Sequence, residues 1–369
     1  MRTRSHDRGY SLVELMVAVV LAILTGLAVL LVLSSYESRK RTVTLGNDAQ
    51  INAAVGLYLV ERDVRMAGAG LTGATGLLCG NGMNVYYNGT TVSNGAAVAP
   101  VLVTDGGTGP DRIRVMRSTS AFGVAPGTIV ATMAGATGVI TINNDIGLGN
   151  GDLFLVGAPD GSKLCALMQM TQNSIASGND YQLTHAGNAT YNPSNPSGAF
   201  ASALSYGIGD IVTNLGTRAF RSYRVLCNDN AAPGLTNACF LIGHDPMALA
   251  NPAWANVGAV DTIASQVVDF QVQYGVAPAG SQTVDTWTDA TGSWAAPSAA
   301  DQRRIKAVRM AIVTRGQLEK DCTVTPASYT LYDGLTGAQT VNLTGTDRCY
   351  RYKVLTVVVP IINVIWAAV

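Results

Sequence analysis

The chain has 369 residues, of which 48% are hydrophobic, only 13% are charged and 40 are glycine. This composition excludes a disordered chain and describes a loop-rich folded protein of one large domain or two modest ones. A formal net charge of zero gives no global attraction to nucleic acid or anionic lipid, so either partner would need a local patch.

Residues Met1 to Gly9 are polar and carry Arg2, Arg4 and Arg8, the pattern of a short basic leader. From Leu12 to Leu33 the only ionisable residue is Glu14. At 1.5 Å per residue this run spans about 33 Å, enough to cross a bilayer and too long for an ordinary secretory signal. Arg39, Lys40 and Arg41 after the run match the three arginines before it, so charge does not set the orientation. The cysteines do: all stand after the apolar run, which places the bulk of the chain on an oxidising side.

No proline precedes Pro100, and Leu45, Ala49, Ile51, Val55, Tyr58, Leu59 and Met66 recur at steps of three and four. This spacing predicts one helix from Ser11 to Met66, apolar all round in its first half and amphipathic in its second. Gly68-Ala69-Gly70 ends it, and Gly26, Gly46 and Gly56 weaken it locally.

After Gly70 the chain turns to strands and turns. Glutamate occurs only at Glu14, Glu37, Glu61 and Glu319, and Lys163 is the only lysine between Arg41 and Lys306, so two common helix formers are missing from the middle. Strands are predicted at 112–116, 139–142, 152–156, 163–170, 223–227, 267–276, 304–313 and 350–359. Val268, Phe270, Val272, Tyr274 and Val276 alternate with their neighbours, as a sheet with one buried face requires. The apolar run Val354 to Val369 contains Pro360 and reads as a terminal strand or strand pair, not a second membrane span.

Six cysteines, Cys79, Cys165, Cys227, Cys239, Cys322 and Cys349, contain no C-x-x-C and suit a disulfide framework. Cys227 with Cys239 and Cys322 with Cys349 flank short polar loops, as locally closed bridges do. Cys79 with Cys165 then remains, one of the fifteen connectivities that six cysteines allow.

The run Arg8-Gly9-Tyr10-Ser11-Leu12-Val13-Glu14 and the apolar residues after it closely resemble the class III signal of type IV pilins: a basic leader ending in glycine, then a glutamate at the fifth mature position. The resemblance implies cleavage between Gly9 and Tyr10 by a prepilin peptidase and N-methylation of Tyr10, which stands where the family usually has phenylalanine. It also implies that Glu14 meets the positive N-terminus of a neighbouring subunit during assembly. A carboxylate inside an apolar membrane helix costs about 2.5 to 3.5 kcal/mol on insertion scales, so a partner or a role is called for. A bland reading is a capping box, because Ser11-Leu12-Val13-Glu14 also fits S-x-x-E.

The likeness extends to the PilW family of minor pilins and, more distantly, to the J-type pseudopilins of type II secretion. Leu59 to Gly68 resembles the stretch that closes the long helix in PilW proteins, with its Arg-Asp-x-Arg-x-Ala-Gly pattern, and Val272–Gly275 and Ala307–Arg315 resemble late strands. Much of 75–260 matches only loosely, and the apolar residues after Ile362-Asn363 depart from the usual ending.

Other signals are weaker. Gly68 to Gly73 satisfies G-x-G-x-x-G but follows a helix, where a dinucleotide fingerprint follows a strand. Asp145 and Asp152 around Gly147-Leu148-Gly149 could bind calcium, although a metal-free hairpin turn is the plainer reading. Arg112, Arg114 and Arg117 form one basic group and Arg218, Arg221 and Arg224 another, which solvated strand faces and edge protection explain, so nucleic acid is an unlikely partner. His185 and His244 show no metal-ligand spacing, and no catalytic motif, metal site or cofactor is expected.

The sequence therefore predicts an α+β protein: a leader (1–9), a pilin helix (10–66, with 12–33 transmembrane) and a β-rich, disulfide-bonded domain (71–369). The resemblance implies a minor pilin that primes type IV pilus assembly and sits in the tip complex, contributing to adhesion or twitching motility, and it implies no enzymatic activity. Its expected partners are other minor pilins and the major pilin, the prepilin peptidase, the inner membrane before assembly and a PilY-type tip adhesin. Its expected location is the inner membrane with the domain in the periplasm, then the pilus. The rivals are a J-type pseudopilin and a signal-anchored extracytoplasmic enzyme.

Overall fold

The structure is a computed structural model that describes residues 11–73, 76–121, 125–202, 204–228, 238–316, 318, 322 and 325–367. The leader and the cleavage residues Gly9 and Tyr10 lie outside the described residues.

One helix runs unbroken over Leu12–Arg65, 54 residues, or about 80 Å at the α-helical rise. In its first half, Leu12–Glu37 is long and apolar enough to cross a membrane, and none of it is buried among the described residues. Its second half docks on two sheets. Among the described residues, one sheet has five strands in the order 261–265, 239–244, 220–227, 112–116, 101–104, and another has four in the order 286–288, 267–276, 305–315, 352–360. Ala53, Leu57, Val60, Val64 and Ala67 join Ile113, Leu241, Phe270, Ile312 and Val359 in one shared core.

The helix docks on a different face from the one its hydropathy predicts. Ile51, Val55, Tyr58 and Met66 are exposed, at 60%, 45%, 63% and 48%, while the buried stripe is made of smaller residues. Close approach is the reason. A Cβ placed on Gly56 would lie 3.2 Å from Ala264 Cβ, Leu241 Cδ2 and Ile312 Cδ1, so the glycine that weakens the isolated helix lets helix and sheets approach closely. Hydropathy alone favours the larger side chains, whereas helix-to-sheet contact favours the smaller.

The rest of the chain builds a third, larger sheet of nine described strands in the order 175–177, 180–183, 140–142, 127–131, 211–216, 153–157, 165–169, 83–87, 90–96. It has apolar cores on both faces, one around Leu78, Leu155, Leu167 and Leu215, the other around Phe154, Met168 and Phe200. Of the predicted strands, 112–116 and 267–276 form with those bounds, and the others form within a few residues of them. Strands such as Met83–Tyr87, Val101–Thr104 and Ile211–Gly216 were not predicted.

Three further expectations are corrected. Strand 267–276 is buried on both faces toward its end, Gln273 included, because the hairpin 328–331/339–342 covers the face turned away from the helix. A register shift between Val267 and Asp269 also moves Val268 out of the alternating series. After Pro360 the chain forms a short helix, Ile362–Ala367, and not a second strand. Finally, Arg112 and Arg114 do not protect an edge, since their strand is paired on both sides.

The six cysteines pair as Cys79–Cys165, Cys227–Cys239 and Cys322–Cys349. The last closes the loop that carries the covering hairpin. That hairpin is also fastened by Arg309, only 1% exposed, whose guanidinium lies 5.0 Å from the Trp287 ring centre and 4.3 Å from that of Tyr332. It donates to Gln273 Oε1 at 2.6 Å and to the Thr336 carbonyl.

Candidate assembly site

Glu14 lies in the first turn of the helix, exposed, within the unburied apolar segment. Ser11 is the N-cap in an extended conformation but makes no side-chain cap hydrogen bond. The capping-box reading therefore finds no support among the described residues. Toward the domain the apolar surface gives way to the docked stripe, so one element has a bare end and a fixed end.

The fixed end is built by the residues that close the helix. Asp63 is 1% exposed and lies 2.9 Å from Arg117 Nη2, and it accepts a hydrogen bond from the Tyr223 hydroxyl. Burial, then the Asp63 charge, pushes the Tyr223 phenol up and keeps it a donor. Ala67 is fully buried. Gly68 and Gly70 adopt φ of +81° and +84°, which side chains rarely tolerate. The amide of Gly68 donates to the Met116 carbonyl and that of Ser118 to the Ala69 carbonyl, at 2.9 and 3.0 Å, so the chain leaves the helix as a clamp against the five-stranded sheet. The dinucleotide reading of this glycine run falls away with its geometry, because a helix precedes it and strands follow.

Two carbonyls at the exit from the helix are bonded from far along the chain. Asn363 Nδ2 donates to the carbonyls of Met66 and Ala67 at 3.3 and 3.0 Å. The contact adds a second donor to the Met66 carbonyl, which also accepts from the Ala69 amide at 3.1 Å, and supplies one to the Ala67 carbonyl just past the helix. Sequence spacing gave no sign of this contact, because its partners stand almost 300 residues apart.

The remaining sequence candidates are placed as follows. Asp145 Oδ1 accepts from Gly147 N and Asp152 Oδ2 from Gly149 N, both at 2.8 Å, so both carboxylates stabilise their own turn. No group of His, Cys, Asp or Glu suited to a metal occurs among the described residues. His185 is buried beside Phe154, and burial pulls its pKa down. The two arginine groups are re-sorted: Arg117, Arg218 and Arg221 border one small cavity, while Arg112, Arg114 and Arg224 share a sheet face.

A family model described as type IV pilus-assembly protein W, PilW, matches residues 247–363. No curated protein and no solved structure matches the chain. The matched segment contains the whole four-stranded sheet and ends on Asn363, the residue that caps the helix. It also contains Val272–Gly275 and Ala307–Arg315, whose likeness to the family is visible in the sequence. That match, over about a third of the chain, joined to one N-terminal apolar helix that fits a single-pass membrane anchor, supports a protein similar to the PilW family of type IV pilus assembly.

Proposed function

We propose that this chain is a minor pilin that primes type IV pilus assembly and takes its place in the tip complex, contributing through the pilus to adhesion or twitching motility. The observation that carries the reading is the bare segment Leu12–Glu37 with Glu14 exposed near its start, on a helix whose other end is anchored in the domain. An apolar surface of this length needs lipid before assembly and the helices of other pilins after it. Its one carboxylate has a large desolvation penalty in either setting, which a neighbour's positive N-terminus offsets only at the correct stagger. The resemblance supplies the rest: cleavage between Gly9 and Tyr10, N-methylation of Tyr10, and major and minor pilins as partners. Before assembly the domain stands in the periplasm, where the three disulfides are chemically at home; a PilY-type adhesin is its partner at the tip.

The test is mass spectrometry of the protein from piliated cells, with Glu14→Ala alongside. The expected result is a chain that starts at methylated Tyr10, and a variant that is processed normally but absent from sheared pili. A chain that retains Met1 to Gly9 in cells with an active prepilin peptidase overturns the reading. Incorporation of Glu14→Ala at the normal level overturns the assigned role of Glu14.

A further inference from the structure

Strands 112–116 and 220–227 are antiparallel neighbours in the five-stranded sheet, with Arg112 opposite Arg224 and Arg114 opposite Ser222. Ile113, Val115, Tyr223 and Val225 point into the core beneath the helix. The period of two therefore turns Arg112, Arg114, Ser222 and Arg224 to the other face of the sheet. On the next strand His244 lies opposite Ser222 and joins them.

This arrangement is unfavourable as it stands. Like charges directly opposite on adjacent strands are destabilising, and the three arginines are half-buried. Burial lowers the pKa of Arg114 and Arg224, with Arg112 adding to the effect on both. Other cations of the chain are ion-paired, Arg117 with Asp63, Arg221 with Asp261 and Lys163 with Asp210, and buried Arg309 has neutral acceptors and two aromatic rings instead. Among the described residues none of these three arginines has an ion-pair partner. Arg112 donates to Asn251 Oδ1 at 2.9 Å and to the Ala250 carbonyl at 3.4 Å, and Arg114 lies over the Phe220 ring at 5.8 Å. His244 supplies a second, independent observation. It is 4% exposed, and neither ring nitrogen makes a hydrogen bond of normal geometry, although the Ala250 backbone favours its protonated form.

We propose that this face is a binding site for a terminal phosphate group, held by Arg112, Arg114 and Arg224, with the neutral His244 ring as a further donor. Guanidinium forks match phosphate oxygens in pairs, and a dianion with three open oxygens compensates the cluster better than a single carboxylate does. The half-buried setting beneath the loop after His244 suits a terminal group more than a blocked diester. A bound phosphate also removes the cross-strand repulsion, so the site is more stable occupied than empty.

The test is calorimetric titration of the full chain in detergent micelles at pH 7.5 with inorganic phosphate, with succinate and dimethyl phosphate at matched ionic strength. Phosphate is expected to bind saturably and the other two at least about tenfold more weakly, in line with the loss of one charge-assisted hydrogen bond. Arg112→Gln and Arg224→Gln should each weaken phosphate by about tenfold or more, while Arg218→Gln at the neighbouring cavity leaves it unchanged. Without phosphate, Arg224→Gln should melt no lower than the parent, and if it fails to fold, Arg224→Lys keeps the charge but loses the fork and should bind several-fold more weakly. Absence of saturable phosphate binding, equal or tighter binding of succinate or dimethyl phosphate, or loss of binding in Arg218→Gln overturns the proposal.

Discussion

Arg117 Nη2 lies 2.9 Å from Asp63 Oδ1, joining the last full turn of the long N-terminal helix to the segment that follows strand 112–116. The aspartate is 1% exposed and the arginine 21%, so the pair is shielded mainly on the acidic side. Removing one partner leaves a buried charge or phenol without its complement.

Asp63→Ala should therefore destabilise the domain by about 3 to 5 kcal/mol, the usual cost of breaking one half of a buried pair. Asp63→Ala with Arg117→Ala should cost less than the two single changes added together. A double-mutant cycle from thermal melts of the micellar protein checks this, and strict additivity would show that the pair does not couple.

Gly56 offers a steric test of the docked face. Gly56→Leu must displace Leu241, Ile312 or the helix itself, and overpacking of this kind costs about 1 to 3 kcal/mol. Tyr58→Ala, on the exposed side, should cost under about 0.5 kcal/mol. Comparable losses from the two would mean that the helix docks on the face its hydropathy suggested.

Acid and base act in opposite senses. Asp111 accepts from the Gly106 and Val272 amides at 2.8 and 2.7 Å, yet burial pushes its carboxyl up to about 7. A carboxyl raised in the folded state contributes most below its unfolded pKa of 3.8, and that contribution fades as pH rises toward 7. His244 is pulled down to about 4 by burial and then by Arg224 and Arg112, so its contribution is full above 6.5 and fades as pH falls toward 4. Asp111→Asn should thus make stability fall more steeply on acidification from pH 7 to 4, and His244→Gln should make it fall less. Melting temperatures across that range decide the point, and a pair of unchanged slopes would contradict both assignments.

The disulfides should rank by the chain they enclose. Cys79–Cys165 spans 86 residues and Cys227–Cys239 spans 12. In the loop-entropy picture the first contributes about 4 to 5 kcal/mol and the second about 3. Replacing both cysteines of each bridge by serine and comparing urea midpoints measures the order. A larger loss from the shorter loop would point to strain or residual structure as the governing factor.

The sequence made the extent of the helix legible because an apolar run and a glycine breaker are local signals. It did not reveal the phase of docking, which depends on how near Gly56 can come to Ala264, Leu241 and Ile312. The Arg-Asp-x-Arg-x-Ala-Gly stretch was visible as a likeness, but Asp63 acts through Tyr223, 160 positions away. Strand Val101–Thr104 could have been found, since a short apolar run ends there at Asp105-Gly106-Gly107, a turn signal. The arginines were grouped by nearness along the chain, whereas strand parity and pairing regroup them by face.

The contact from Asn363 to the carbonyls of Met66 and Ala67 also orders events during synthesis. The helix leaves the ribosome first, and the side chain that finishes its far end is added nearly 300 residues later. Throughout translation the long helix thus lacks this contact at its far end, while its apolar half is already made. A chain that ends before Asn363 keeps the docked stripe and the Asp63–Arg117 pair but lacks the two hydrogen bonds that close the turn after the helix.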